Sequence, residues 1–254
     1  SERLNISPEE VKAFHIGSVL SGGGSLPGEN TVADWVEMND AYWATSMEED
    51  ENHLPIPVLY GVDAIHGNNN VRQATVFPHN MALGACNDPD LIERIGRTTA
   101  REVLAAGVEW TFAPTLAVAR DDHWGRTYES YSEDPGIVSA YAPGFVRGLQ
   151  GDLGDDSVVA CVKHFVGDGG PRGGVDQGDT VCTEDELRRL HLAPYLPALE
   201  AGALTVMVSL SSWNGEKCHR HRHLLTDLLK GELGFQGFVV SDWNGIDQLS
   251  DDYA

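Results

Sequence analysis

The sequence predicts an α/β chain, a (β/α)8 TIM-like barrel of which about six of the eight βα units are present. Three observations predict it. Six apolar, β-branched runs recur along the 254 residues, each leads into polar residues or a Gly-rich loop, and the connections between them carry helix-start signals. Continuous apolarity without polar alternation marks strands covered on both faces, as in parallel sheets.

In chain order, Ser7-Pro8-Glu9-Glu10 opens a short helix, and Ile16-Gly17-Ser18-Val19-Leu20 is the first strand, ahead of Gly22-Gly23-Gly24. Val58-Leu59-Tyr60-Gly61-Val62 is the second, ending at Asp63. Asp88-Pro89-Asp90 then starts a helix whose apolar face runs through Leu91, Ile92, Ile95, Ala100, Val103 and Leu104. Trp110-Thr111-Phe112-Ala113-Pro114 is the third strand, and Val158-Val159-Ala160-Cys161-Val162 the fourth, running into Lys163-His164. Thr183 with Glu186 forms a capping box, and Leu187, Leu190 and Leu196 supply that helix's buried stripe. Thr205-Val206-Met207-Val208-Ser209 is the fifth strand. A helix with Thr226, Leu228, Leu229 and Leu233 ends at Gly234. The sixth strand, in Gly237-Phe238-Val239-Val240-Ser241-Asp242-Trp243, ends in a carboxylate beside an indole.

An eight-fold barrel usually takes about 250 residues. Here long connections leave room for only six strands, so residues 1–254 are expected to be a partial N-terminal catalytic barrel domain of a longer polypeptide. An arc of six strands exposes unpaired edges that another segment must cover.

Hydrophobic residues at 41% suffice for a core. Against 39 acidic residues stand 17 basic ones, a formal charge of -22, which argues against nucleic acid or an anionic membrane as partner. Residues 1–254 hold no run of 18 apolar residues and no charged-then-apolar signal pattern. Cys86, Cys161, Cys182 and Cys218 have no metal-ligand spacing, and the run His219-Arg220-His221-Arg222-His223 lacks a further ligand to close a site, so neither metal nor cofactor is expected. Gly22-Gly23-Gly24 lacks the Lys-Ser/Thr of a phosphate loop.

The strand ends form a coherent set, because the top of a barrel converges on one pocket. Asp63 can accept hydrogen bonds from two adjacent hydroxyls, Lys163 and His164 can donate to hydroxyl oxygens, and Arg126 offers a planar fork. Asp242 on a rigid strand end can attack an anomeric carbon, with Trp243 as a flat face for the sugar. Each has a plain structural alternative: Asp63 as a turn residue, Arg126 as a salt-bridge partner, Lys163 and His164 as a satisfied buried pair, Asp242 as a helix cap.

These residues sit in collinear motifs: Leu20-Ser21-Gly22-Gly23-Gly24-Ser25, Tyr60-Gly61-Val62-Asp63-Ala64-Ile65-His66-Gly67, Ala74-Thr75-Val76-Phe77-Pro78-His79-Asn80, Trp124 to Asp134, Lys163 to Gly170, Ser211-Ser212-Trp213-Asn214-Gly215 and Val240-Ser241-Asp242-Trp243. In this order they resemble the family 3 glycoside hydrolases, in the β-glucosidase and exo-β-glucanase branch, over almost the whole chain. The resemblance implies a retaining exo-acting hydrolase that removes terminal non-reducing β-D-glucosyl residues from a β-glucoside or β-glucan oligosaccharide through a covalent glycosyl-enzyme. Asp242 matches the nucleophile, Trp243 the aromatic beside it, and Asp63, Arg126, Lys163 and His164 the residues that grip the terminal sugar. The acid/base is then expected on a second, α/β sandwich domain absent from this chain, and export to the periplasm or the cell exterior is what the family suggests.

Two departures bear on this expectation. Leu210 stands where an aromatic residue is usual before Ser-Trp-Asn-Gly, which touches packing near the nucleophile. The loop Phe165 to Thr180 holds no His, which disfavours the branch that takes its acid/base from that loop. Glu129 and Glu133 are read as members of a structural loop, not as substitute acids. The alternative reading is a non-catalytic or remnant sugar-binding barrel fragment.

Overall fold

All six apolar runs become strands of one parallel sheet in the computed structural model of the chain, which describes residues 2–249. They are β1 (Ser18–Ser21), β2 (Leu59–Val62), β3 (Trp110–Thr111), β4 (Val159–Phe165), then, after the short β5 (Asp179–Thr180), β6 (Thr205–Val208) and, after the hairpin β7 (Ser212–Trp213) and β8 (Glu216–Lys217), β9 (Phe238–Val240). The order β1-β2-β3-β4-β6-β9, with every neighbour parallel, is that of successive βα units laid side by side into the curled arc of a TIM-like barrel. β5, β7 and β8 make a second, three-stranded sheet, which the apolar pattern of the sequence does not announce because its strands are two residues each.

Helices α1 (Pro8–Ala13), α2 (Val32–Ser46), α3 (Asn80–Ala85), α4 (Pro89–Ala105), α5 (Pro135–Gln150), α6 (Glu184–Glu186) and α7 (Tyr195–Glu200) fill the connections. Capping decides several of their starts. Ser7 and Thr183 close reciprocal boxes with Glu10 and Glu186, and the Asp88 carboxylate accepts the Leu91 amide at 3.0 Å ahead of Pro89. Ile92, Ile95, Val103, Val138, Phe145, Val162, Val206 and Leu228 belong to one continuous core between helices and sheet. A smaller cluster of Trp110, Phe112, Cys161 and Met207 packs with Leu20, Leu59, Val159 and Val240, and Trp110, Phe112, Met207 and Val240 face the cavity described below.

Three sequence expectations are corrected. β9 is not fully covered: Phe238 is 44% exposed, with Val239 and Val240 half-buried, because among the described residues β9 is the end strand of the arc and pairs with β6 alone. The stripe after Thr183 is Leu187, Leu192 and Tyr195, not Leu190 and Leu196, and Leu196 faces solvent. The reason is the π-helical winding of Leu187–Leu192, whose i→i+5 bonds put an extra residue into each turn and rotate the following residues out of α-helical phase. The last helix runs His223–Glu232, also π-wound, so that it begins before Thr226 and buries Leu224 besides Leu228 and Leu229; Gly234 at φ 65° ends it.

Gly237 brings the start of β9 so close to the start of β6 that a Cβ there would stand 1.9 Å from the Leu204 carbonyl oxygen. That neighbour is backbone and has no rotamer to escape into. Gly237→Ala is therefore expected to lower stability by about 1–3 kcal/mol, as overpacking does. A thermal midpoint unchanged from wild type would show that β9 shifts freely.

Candidate active site

A cavity of about 810 Å³ at the polar ends of the strands is lined by all six residues singled out from the sequence: Asp63, Arg126, Lys163, His164, Asp242 and Trp243. They arrive from several strand ends and loops. Asp63 follows β2, and its backbone is fixed on both sides, since the Thr111 hydroxyl donates to the Val62 carbonyl at 2.9 Å and accepts the Ala64 amide at 3.0 Å. Asn70 donates to the Asp63 carbonyl at 2.6 Å. Lys163 and His164 are consecutive in β4, yet both line the cavity. A regular strand would send them to opposite faces, but the pairing register with β6 shifts between Val162 and Phe165.

The charges are arranged in pairs. Lys163 Nζ donates to Asp63 Oδ1 at 2.6 Å, with the lysine side chain 4% exposed and the aspartate 39%. Burial by itself would lower the Lys163 pKa, but the carboxylates of Asp63 and Glu129 raise it, so the ammonium stays charged. Arg126, at the start of the turn Thr127–Glu129, gives Nε and Nη2 to the two oxygens of Glu129 at 2.7 and 2.8 Å. Burial pushes the Glu129 carboxyl up, and the Arg126 hydrogen bonds and charge, with Lys163, overcome it and hold the group at about 2. Glu129 is thus a fixed carboxylate that orients Arg126, which agrees with its reading as a structural residue. Glu133 lies outside this cavity, and its carbonyl accepts Arg120 at 2.6 Å.

His164 links the pairs to the end of β9. Its Nε2 faces Arg126 Nη2 at 3.2 Å, and a guanidinium only donates, so Nε2 accepts and Nδ1 carries the hydrogen given to Asp168 Oδ2 at 2.6 Å. The same Nε2 is 3.7 Å from Asp242 Oδ2. Asp168, 5% exposed, was not anticipated as part of the site; the signal was a carboxylate four residues from a histidine bound for a buried strand end, where an imidazole needs an orienting partner.

Asp242 stands two residues past β9 with its side chain 14% exposed. The Trp243 amide donates to Oδ1 at 2.6 Å, which leaves Oδ2 as the oxygen turned toward His164. Trp243 is 51% exposed, and its ring lies over Gly22, where a Cβ would come within 3.1 Å of the indole. The Gly-rich loop after β1 thereby serves as the seat of the aromatic face. His66, His79 and Tyr128 form a further aromatic group, with centroids 4.8 Å and 4.7 Å apart along the chain of rings, and His66 and Tyr128 line the cavity. Leu210 is buried just beyond β6, outside the cavity lining, and its carbonyl accepts Lys217 Nζ at 2.7 Å.

The histidine run does not converge. His219 bonds Ser209 and Asp242, His221 packs on the Trp213 ring, and His223 reaches Glu184 at 3.2 Å. Among the described residues no group of three His, Cys, Asp or Glu side chains could hold a metal ion.

A cavity with an exposed indole, the carboxylates of Asp63 and Asp242 and charged hydrogen-bonding groups around them can take a polyhydroxylated ring. Residues 4–254 match the family model described as the glycosyl hydrolase family 3 N terminal domain. A lysosomal beta glucosidase from Dictyostelium discoideum is 34% identical over 94% of the chain and 30% of its own length. A beta-xylosidase from Formosa agariphila is 39% identical over 77% of the chain and 28% of its own length. A crystal structure of a mutant exo-1,3/1,4-beta-glucanase from a Pseudoalteromonas species superposes with a TM-score of 0.93 at 49% identity, covering 96% of this chain and 41% of that one. The chain thus spans less than half the length of each of these relatives.

Proposed function

Because the chain belongs to glycosyl hydrolase family 3, as that family's N-terminal domain, we propose that it carries the nucleophile and the terminal-sugar subsite of a retaining, exo-acting β-glucosidase. The observation that carries this reading is the placement of Asp242 Oδ2, at the cavity wall, 3.7 Å from His164 and beside the exposed Trp243 ring.

In the first step Asp242 Oδ2 attacks C1 of the terminal β-glucosyl unit, the C1–O bond breaks, and its electron pair leaves on the aglycone oxygen. That oxygen takes its proton from an acid supplied by a second domain, an α/β sandwich of the same polypeptide. In the second step a water oxygen attacks C1, its proton goes to the now basic acid/base group, and the Asp242 carboxylate is released. Two inversions at C1 give retention. Asp63, with its charge balanced by Lys163, accepts hydrogen bonds from ring hydroxyls, Lys163 and Arg126 donate to hydroxyl oxygens, and His164 lines the subsite with Nε2 as an acceptor that orients Arg126. These contacts help catalysis to the extent that they strengthen as the ring flattens toward an oxocarbenium ion.

An activated fluorosugar tests the assignment. Incubating the complete enzyme with 2,4-dinitrophenyl 2-deoxy-2-fluoro-β-glucoside is expected to inactivate it with time and to add one fluoroglucosyl group to the peptide bearing Asp242, read by mass spectrometry. A label on another carboxylate would overturn the assignment. Sugar binding without turnover or label would favour the remnant reading instead. Because one relative is named a beta-xylosidase, the same assay on aryl β-xyloside decides whether the site requires the glucose hydroxymethyl group.

A further inference from the structure

The residue that holds the backbone of Asp242 belongs to the histidine run that forms no metal site. His219 lies in the turn Cys218–Arg220 that follows β8, beside the ends of β6 and β9. Its Nδ1 is 3.0 Å from the Ser209 carbonyl oxygen, immediately after β6, and its Nε2 is 3.1 Å from the Asp242 amide nitrogen. A carbonyl only accepts and an amide N–H only donates. Both bonds therefore exist in one form of the ring alone, the neutral tautomer with hydrogen on Nδ1.

Other groups confine this ring. Gly245, buried, packs against it so closely that a Cβ there would stand 2.3 Å from Nε2. The Gly245 amide in turn donates to the Asp242 carbonyl at 2.9 Å, closing a turn over Trp243 and Asn244, the latter at φ 51°. The Asp242 segment is thus held at its amide by His219, at its carbonyl by Gly245 and at Oδ1 by the Trp243 amide.

We propose that His219 is a positioning residue for Asp242: as a neutral imidazole it ties the end of β6 to the end of β9 and fixes where the carboxylate stands, and its protonation undoes that tie. This rests on the reading of Asp242 as nucleophile. A proton on Nε2 would turn an N–H against the Asp242 N–H, so the acceptor is lost and the turn is free to move. The titratable groups around the ring are Asp242 after β9, Lys217 in β8 and His164 in β4. Burial, the strongest influence, lowers the His219 pKa from its ordinary 6.5, against the raising effects of the Ser209 bond and Asp242. The sign follows: the tie is present above pH 6.5 and is lost as pH falls through the lowered value in the folded protein.

The test compares His219→Leu with His219→Gln in the complete enzyme. Leucine removes the acceptor, whereas the glutamine amide oxygen reaches the place of Nε2 and accepts at every pH. His219→Leu is expected to lower kcat on a dinitrophenyl β-glucoside about 10- to 100-fold, the scale of a misplaced reacting group, with KM and binding of a glucose-like inhibitor within about twofold. His219→Gln is expected to recover most of kcat and to lack the acid-side step that His219 gives the wild-type profile. Nitrogen chemical shifts of labelled histidine are expected to show His219 neutral and protonated on Nδ1 at pH 7.

A folded His219→Leu variant with wild-type kcat, a hydrogen on Nε2, or an unchanged acid limb in His219→Gln would each overturn the proposal. The glutamine variant and the nitrogen shifts decide the matter if the leucine variant does not fold. Failure of the underlying reading looks different. A fluorosugar label on another carboxylate overturns the function together with the catalytic consequence of the tie. Labelling of Asp242 with kcat unaffected in His219→Leu overturns the positioning role alone.

Discussion

Asp242→Asn is expected to abolish turnover of aryl and oligosaccharide β-glucosides, by at least about 10⁴-fold in kcat, the scale seen when a nucleophilic residue is removed. The change replaces one carboxylate oxygen by an amide of nearly the same shape. The backbone bonds to His219 and Gly245 do not involve that side chain, and the Trp243 amide still finds an oxygen in the Asn carboxamide. Asp63, Arg126, Lys163 and His164 keep their own partners. Sugar binding, read by calorimetry with a glucose-like inhibitor, is therefore expected to persist while chemistry stops. Intact turnover would sink the nucleophile assignment, and loss of binding together with turnover would show that the carboxylate holds the ground-state sugar.

A smaller residue at this position makes the claim stereochemically specific. Asp242→Gly opens space on the face of the sugar from which Oδ2 attacks. With a dinitrophenyl leaving group, which departs without an acid, added azide is expected to restore part of the rate and to form the α-glucosyl azide, a single inversion. The β-azide, or no rescue at all, would count against attack from the Asp242 side.

The barrel units were legible because parallel strands and their covering helices obey strong local rules. Continuous apolar runs marked all six sheet strands, and Asp88 and Thr183 marked helix starts by their capping chemistry. What escaped depends on contacts distant in sequence. α2 begins with a Thr31 and Asp34 box, but Trp35, Asn39, Tyr42 and Ser46 make up its buried face, which mixes polar with apolar residues and weakens the helical signal. The site residues were legible as types at strand ends. Their pairing was not, because Lys163 bonds a residue 100 positions away and His219 one 23 positions away. Glu129 bonds Arg126 and Asp168 bonds His164, pairings the sequence does not reveal, since an acidic residue in a loop is more often solvated. His219 stands out in the sequence for its neighbouring histidines, and its hydrogen bonds go instead to Ser209 and Asp242.

Arg126→Met is expected to cost both stability and activity, and pH separates the two. Arg126 is the bidentate partner of Glu129, whose side chain is 5% exposed. Removing one member of such a pair strands the other, at about 3–5 kcal/mol. In the native chain Glu129 stands at about 2 against an ordinary 4.5, which links to about 3 kcal/mol of stability. This contribution is complete above pH 4.5 and is lost as pH falls through about 2. Without Arg126 burial dominates, and the Glu129 carboxyl is expected above 4.5 in the folded variant. The sign then reverses: the variant is relatively more stable below pH 4.5 and weakens as pH rises. The gap between wild type and variant in urea midpoint should therefore be wider at pH 7 than at pH 4.5, and an equal gap at both would refute the pairing as its cause. Replacing both partners, in Arg126→Met with Glu129→Leu, leaves no buried charge of this pair without a partner and is expected to recover much of the stability. Activity should not return with it, because the Met side chain neither donates to His164 Nε2 nor offers a donor to a sugar hydroxyl. Stability regained with activity still lost would assign the Glu129 carboxylate to holding Arg126 and Arg126 itself to the sugar, whereas activity regained would reduce the whole pair to scaffold.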